Sequence, residues 1–368
     1  MIKSVVILAG DVGQRLWPAS TQKRPKQFID PGSGTSLLQA SVKRAALLEE
    51  KPLIVVVTHT EHVPGAVEQI AALGEDTSSR VVILPEPAGR NTAPAVAYAT
   101  AYLEREGIAD GNTLVLAADH IISPQDQFAA DVRSAAEIAS DGYLVVFGIK
   151  PTRPETGYGY IEAGDAHGPG YVVRSFREKP DLMVAEKYVK SGRYFWNSGM
   201  FVFHSTVYHE ELAEYAPEIR TGFANFSAPF TFAERRGVRV AEIADELEEV
   251  YRRMPKISVD YAVMESSRRV AMVQAGFEWS DVGSWDELSK VVPNSDPSAA
   301  SVTGEGPVFQ AGSRNNYVHS ELPVAICGLD NVMVVVENGM VLVCRKGSSQ
   351  LVREIVTQIE RSGHDELL

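Results

Sequence analysis

The chain has 368 residues, enough for two domains and a sizeable core. Apolar residues make up 45% and charged residues 23%, as in an ordinary globular protein, and no apolar run reaches the ~20 residues of a membrane span. Asp plus Glu number 48 against 35 Lys plus Arg, so the net charge of −13 argues against a nucleic-acid partner and leaves any anionic substrate to local cations, backbone N–H groups or a metal.

The first residues, MIKSVVILAG, form an apolar stretch that breaks at Gly10. This predicts a strand rather than a signal peptide, and a cytoplasmic location is expected. Further short apolar runs follow at 53–57, 81–84, 114–117 and 144–147, rich in Val, Ile and Leu like the first at 5–8. Helical patterns lie between them, at 37–48, 93–103 and 128–139. In the second, Asn91 or Thr92 can cap and Pro94 sits in the first turn. Strand and helix alternating at this spacing predict an α/β fold, a doubly wound, mainly parallel Rossmann-like sheet that binds ligands at the carboxyl ends of its strands.

The middle is less regular. "TGYGYIEAG", "YVVRSFREKP" and "YFWNSGMFVFH" read as strands, "PDLMVAEKYVKSG" as a helix, and 206–256 as helices. Pro, Ser, Asn and Gly dominate 291–308, which places a boundary between a domain at 1–295 and a small all-β module at 296–368. In that module "PVAICGLD", "NVMVVVENG", "MVLVCRKGS" and "SQLVREIV" read as strands roughly nine residues apart. The two cysteines, Cys327 and Cys344, are too few and too far apart for a CxxC metal site and are read as reduced apolar side chains.

Several strings carry chemistry. After the first strand, "LAGDVGQRLWP" places Gly10 and Gly13 where backbone N–H groups can face an anion, with Arg15, Lys23, Arg24 and Lys26 close behind. Asp11 puts an acid inside this loop. In "LAADH", Asp119 ends a strand and can bind Mg²⁺ through oxygen, or merely cap the next helix; His120 reads as structural. Asp281 in "WSDVGSW" is a turn residue alone and half of a hard-cation site if it meets Asp119. In "FREKP", Pro180 biases Lys179 toward extended backbone, from which it can reach a phosphate, while Glu178 can accept from a hydroxyl. Asn197 in "FWNSGM" can both donate and accept. No G-x-S-x-G elbow and no Walker loop occurs.

Taken together and in order, "LAGDVGQRLWPAS", "RPKQF", "EPAGRNTAPA", "LAADH", "TGYGYIE", "FREKP", "WNSGMF", "SVDYAVME" and "WSDVGSW" resemble the sugar-nucleotide pyrophosphorylases. "RLWP", "PKQF", "GRNTAPA" and "WNSGMF" favour the mannose-1-phosphate guanylyltransferase branch. The resemblance covers about residues 1–290; the tail resembles, more loosely, the short left-handed β-helix that some members carry. It implies GTP and α-D-mannose 1-phosphate as substrates, GDP-mannose and pyrophosphate as products, and Mg²⁺ held by Asp119 and Asp281. Arg15 and Lys26 would stabilise the departing pyrophosphate. Lys179 would hold the sugar's phosphate, with Glu178, Asn197 and Gly159 around the mannose. Leu8, Ala9, Pro85 and Gly89 would flank the guanine, with Asn91 and Thr92 near it and Gly10 and Gly13 on the phosphates. A homodimer is expected. The family pattern has glycine where this chain has Asp11, and a small hydroxyl or acidic residue where it has Gln14. Two alternatives stay open: a different sugar or base, and a weakly active paralogue that binds nucleotide sugars.

Overall fold

The computed structural model describes residues 1–11, 13–292 and 299–368. The expected boundary at 295/296 lies outside the described residues. The first domain contains strands β1 (Ile2–Ala9), β2 (Leu53–His59), β3 (Val81–Glu86), β4 (Asn112–Ala117), β5 (Ile121–Ser123), β6 (Leu144–Ile149), β7 (Tyr160–His167), β8 (Gly170–Arg177), β9 (Tyr194–His204), β10 (Phe232–Arg235), β11 (Val238–Ala241), β12 (Val270–Gln274) and β13 (Glu278–Ser280). The five apolar runs of the first half are β1, β2, β3, β4 and β6.

The main sheet runs β10-β11-β3-β2-β1-β4-β9-β6-β12-β8-β7. From β11 to β4 it is parallel, as is the β6–β12 pair. The doubly wound arrangement is present, and the sheet is mixed because β9 runs antiparallel between β4 and β6. β9 follows β8 through the helix Leu182–Ser191 and also pairs antiparallel with β7. Alternation along β1 shows both faces at work. Val6 joins the core under the helix Thr92–Arg105, while Val5 and Ile7 join the core under Leu37–Ala46 and Gln125–Ser140. All three are fully buried, which is why the run reads as continuously apolar.

Two sequence expectations change. Residues 206–256 hold the helices Ser205–Tyr215, Pro217–Ala224 and Asp245–Arg253, but also the β10–β11 hairpin. Its two-residue turn is Arg236-Gly237, both at positive φ, a twist that matches the flanking strands. "SQLVREIV" is not a strand; it opens the helix Val352–Ser362. Val352, Ile355, Val356 and Ile359 recur at helical spacing, and Val352 and Val356 are buried.

The C-terminal module is a short parallel β-helix. Its strands are β14 (Ser301–Thr303), β15 (Val308–Ala311), β16 (Tyr317–Ser320), β17 (Val324–Cys327), β18 (Val332–Glu337) and β19 (Met340–Arg345). Ser301 lies opposite Tyr317, Tyr317 opposite Met333, and Val308 opposite Val324, so each coil advances 16 residues. Asn315 and Asn331, both at positive φ, stack at one corner, with Asn315 Nδ2 donating to Asn331 Oδ1 at 2.7 Å. β19 folds back antiparallel on β18. Cys327 and Cys344 are both free thiols.

The module is fastened to the first loop of the sheet domain. Leu16, Trp17, Val282 and Trp285 share a core with Tyr317, Met333, Val335, Val352 and Val356. Trp285 Nε1 donates to the Trp17 carbonyl at 3.0 Å, Trp17 Nε1 to the Leu367 carbonyl at 2.8 Å, and Asn338 Nδ2 to the Pro18 carbonyl at 2.9 Å. Arg24, expected near phosphate, instead pairs with Glu337 of this module.

Candidate active site

A cleft of about 1030 Å³ opens at the carboxyl ends of the parallel strands. Of the residues expected at the site, Leu8, Ala9, Gly10, Gly13, Arg15, Lys26, Gly89, Asn91, Thr92, Asp119, Gly159, Glu178, Lys179, Asn197 and Asp281 line it. Pro85 does not. It is buried within β3, and the next residue, Glu86, is the one that reaches the cleft.

At the cleft floor Lys26 joins three segments. Its ammonium lies 2.8 Å from Asp119 Oδ2 and donates to the Asp281 carbonyl oxygen. Lys26 comes from a short turn, Asp119 follows β4, and Asp281 follows β13. Burial pulls the Lys26 amine down, but Asp119, Asp281 and Asp11 together carry it above its ordinary value. Burial pushes the Asp119 carboxyl up, but the Lys26 charge, neighbouring His120 and the hydrogen bonds from Lys26 and the backbone together outweigh it, so the acid is held below its usual range. The resemblance puts Lys26 on the pyrophosphate; here it pairs with the Asp119 carboxylate and holds the Asp281 backbone. Asp119 and Asp281 both line the cleft beside this ammonium, and their carboxylate oxygens are the hard ligands a divalent cation takes. Among the described residues no cluster of three or more His, Cys, Asp or Glu forms a metal cage, so water and phosphate oxygens would complete the coordination. Tyr158, which sequence reasoning did not single out, donates its hydroxyl to Asp281 Oδ1 at 2.8 Å and fixes that carboxylate. Asp119 does not cap the next helix, whose N-cap is Pro124. His120 is structural in its contacts: Trp279 Nε1 donates to its Nδ1 at 3.1 Å.

The glycine loop is shaped around Lys26. Gly13 has φ 71, and a Cβ there would collide with the Lys26 side chain. The Ala9 carbonyl is clamped by Gln27 Nε2 at 2.7 Å and Thr58 Oγ1 at 2.8 Å. Asp11 does not point away from the loop. Its Oδ1 accepts the Gly13 N–H at 3.1 Å, so a carboxylate occupies one of the donors an incoming phosphate would use.

The opposite wall suits a sugar phosphate. Glu178 Oε1 pairs with Lys179 Nζ at 3.0 Å, and Asn197 Nδ2 donates to Asp260 Oδ1 at 2.8 Å. A Cβ at Gly159 would meet the Glu178 carboxylate and press on Asn197 Cβ, so glycine leaves room for both side chains. Lys179 is not extended, as Pro180 suggested, but has φ 46. The Tyr158 carbonyl holds its N–H at 3.2 Å, and Glu265 Oε1 holds the Glu178 N–H at 2.7 Å, so tertiary contacts impose the turn. Asp260 is visible in the sequence only inside a family string. It begins a π-helical turn, and burial, then neighbouring Glu178, raises its carboxyl to about 6.

Glu86 lines the nucleotide end yet is buried, with Tyr251 Oη donating to Oε1 at 3.1 Å. Burial lifts its carboxyl to about 7, partly offset by the tyrosine. No periodicity could mark it, because β3 is buried throughout.

This fold and site define a nucleotidyltransferase. The chain belongs to the nucleotidyl transferase family, whose model matches residues 4–228. It is 41% identical over 361 residues to the xanthan biosynthesis protein XanB of Xanthomonas campestris pv. campestris, covering 98% of this chain and 74% of that one. It is 38% identical to the mannose-1-phosphate guanylyltransferase RfbM of Salmonella typhimurium, covering 98% and 73%. Among solved structures, one from Thermus thermophilus named a mannose-1-phosphate geranyltransferase superposes with a TM-score of 0.84 at 33% identity, covering 98% of this chain and all of that one.

The Glu86 environment has a testable consequence. A carboxyl raised on folding contributes stability that is present below its unfolded value and lost as pH rises through about 7. Glu86→Gln removes the ionisation. The substitution should therefore gain about 2 kcal/mol more at pH 8 than at pH 5 in urea unfolding. An increment independent of pH would refute the buried-carboxyl account.

Proposed function

We propose that this chain transfers the guanylyl group of GTP to α-D-mannose 1-phosphate, releasing pyrophosphate and forming GDP-mannose. The observation that carries the reading is the convergence of Lys26, Asp119 and Asp281 on the cleft floor, between an anion-facing loop and a sugar-facing wall. Relatives named mannose-1-phosphate guanylyltransferases support the choice of base and sugar.

The chemistry follows from the placement. A phosphate oxygen of the sugar phosphate attacks the α-phosphorus of GTP; the bond from that phosphorus to the α–β bridging oxygen breaks, and its electron pair leaves on pyrophosphate. Positioning and charge neutralisation are the protein's contributions. Arg15 and the loop N–H groups hold the β and γ phosphates. Lys179 holds the attacking phosphate, while Glu178, Asn197 and Asp260 accept or donate to sugar hydroxyls. Lys26 keeps Asp119 and the Asp281 backbone in register. Mg²⁺ bound by Asp119 and Asp281 would supply electrophilic polarisation of the α-phosphate. Guanine presents two adjacent donors, N1–H and the 2-amino group, that an ionised Glu86 accepts. Adenine presents an acceptor at N1 and gains nothing there.

A kinetic panel of GTP, ATP and UTP against mannose and glucose 1-phosphates tests the reading. Pyrophosphate release is expected to be fastest with GTP and mannose 1-phosphate; no turnover with that pair, or a clear preference for another, overturns it. In the same assay Lys179→Ala should raise KM for the sugar phosphate by about ten-fold or more and that for GTP much less; equal effects would remove its assignment. The Asp11 carboxylate must leave the Gly13 N–H, and near a phosphate at ~4 Å it costs about 1 kcal/mol or more. Asp11→Gly should therefore lower KM for GTP by about five-fold, and an unchanged KM would show that the acid does not compete.

A further inference from the structure

The module C-terminal to the sheet domain brings one cation into the cleft. The helix Val352–Ser362 packs on the short turn Gln14–Leu16, anchored by Val352 and Val356 in the same apolar core as Leu16. Between these anchors Arg353 lines the cleft, where Gln14 and Arg15 also face it. Most arginines near acids in this acidic chain are engaged: Arg24 with Glu337, Arg153 with Glu155 and Glu287, Arg269 with Glu210. The Arg353 guanidinium has no acidic partner among the described residues. Lys26 is already committed to Asp119, which leaves Arg15 as the other free guanidinium on this side. The departing pyrophosphate gathers the negative charge of the reaction proposed above onto the smallest species.

We propose that Arg353, supplied by the C-terminal module, binds the pyrophosphate portion of GTP together with Arg15. A guanidinium is suited to this: its planar fork takes two phosphate oxygens at once, and it is always charged. The helix Val352–Ser362 is then a wall of the active site, and the module's docking around Trp17 and Trp285 sets the position of a substrate-binding group.

The inference rests on the proposed reaction, so its test includes a readout that needs no turnover. Magnesium pyrophosphate is titrated calorimetrically into the wild type, Arg353→Ala and Arg353→Lys, and GTP and mannose 1-phosphate kinetics are run alongside. Arg353→Ala is expected to weaken pyrophosphate binding and raise KM for GTP by about ten-fold, with Arg353→Lys intermediate. KM for mannose 1-phosphate should stay within about two-fold and the melting temperature should not move, because the residue is exposed. Pyrophosphate affinity within two-fold of wild type overturns the proposal. So does a fall in melting temperature with equal losses for both substrates, which marks a structural role. A wild type that binds pyrophosphate but does not join GTP to mannose 1-phosphate refutes the reaction and leaves the titration readable.

Discussion

The buried Lys26–Asp119 ion pair is the constraint around which the site is arranged. The Lys26 side chain is 5% exposed and that of Asp119 15%, so neither charge has much water to fall back on. Removing one partner would leave the other uncompensated, which is more costly than never having had the pair. The same ammonium holds the Asp281 carbonyl, so the turn after the first loop, the end of β4 and the turn after β13 share one fastening. It also dictates the local sequence. Gly13 must be glycine because Lys26 lies against it, and the Ala9 carbonyl at the mouth of the loop is clamped by Gln27 and Thr58 from neighbouring segments. The ammonium charge is met by the Asp119 carboxylate and the Asp281 carbonyl oxygen.

Positioning then spreads outward through hydrogen bonds. Tyr158 links the Asp281 carboxylate to the opposite wall, since the Tyr158 carbonyl also holds the Lys179 N–H. Trp17 and Trp285 link the glycine loop to the C-terminal module through a shared apolar core and the Trp17–Leu367 hydrogen bond. The cleft floor at Lys26 and Asp119, the wall that carries Glu178 and Lys179, and the C-terminal module are therefore mechanically continuous, although they come from widely separated parts of the sequence.

Much of this is legible in the chain. Runs of Val, Ile and Leu mark the strands because parallel strands are buried on both faces. Gly10, Gly13, Arg15 and Lys26 stand close together near the N-terminus, and the ordered motifs point to the family. What the sequence hides is long-range. β9 lies between β4 and β6, a pairing no local pattern encodes, and it makes the sheet mixed. Glu86 sits unmarked in an all-buried strand, and Lys179 adopts φ 46 only because distant groups hold its neighbours. "SQLVREIV" reads as a strand by its branched residues, whereas its apolar spacing over the following turn is helical. The strand reading also conceals Arg353. The orientation of Asp11 is set by a hydrogen bond within its own loop, a detail finer than any motif records.

The most direct test of the central arrangement is metal binding, measured with Mn²⁺ as a paramagnetic probe in the presence of GTP, comparing wild type with Asp281→Asn. The account predicts that the wild type binds Mn²⁺ at this site and that the substitution weakens it by about ten-fold or more, with the fold intact. Equal Mn²⁺ affinity in the two proteins would contradict the assignment of Asp281 and, with it, the convergence on which the site is built.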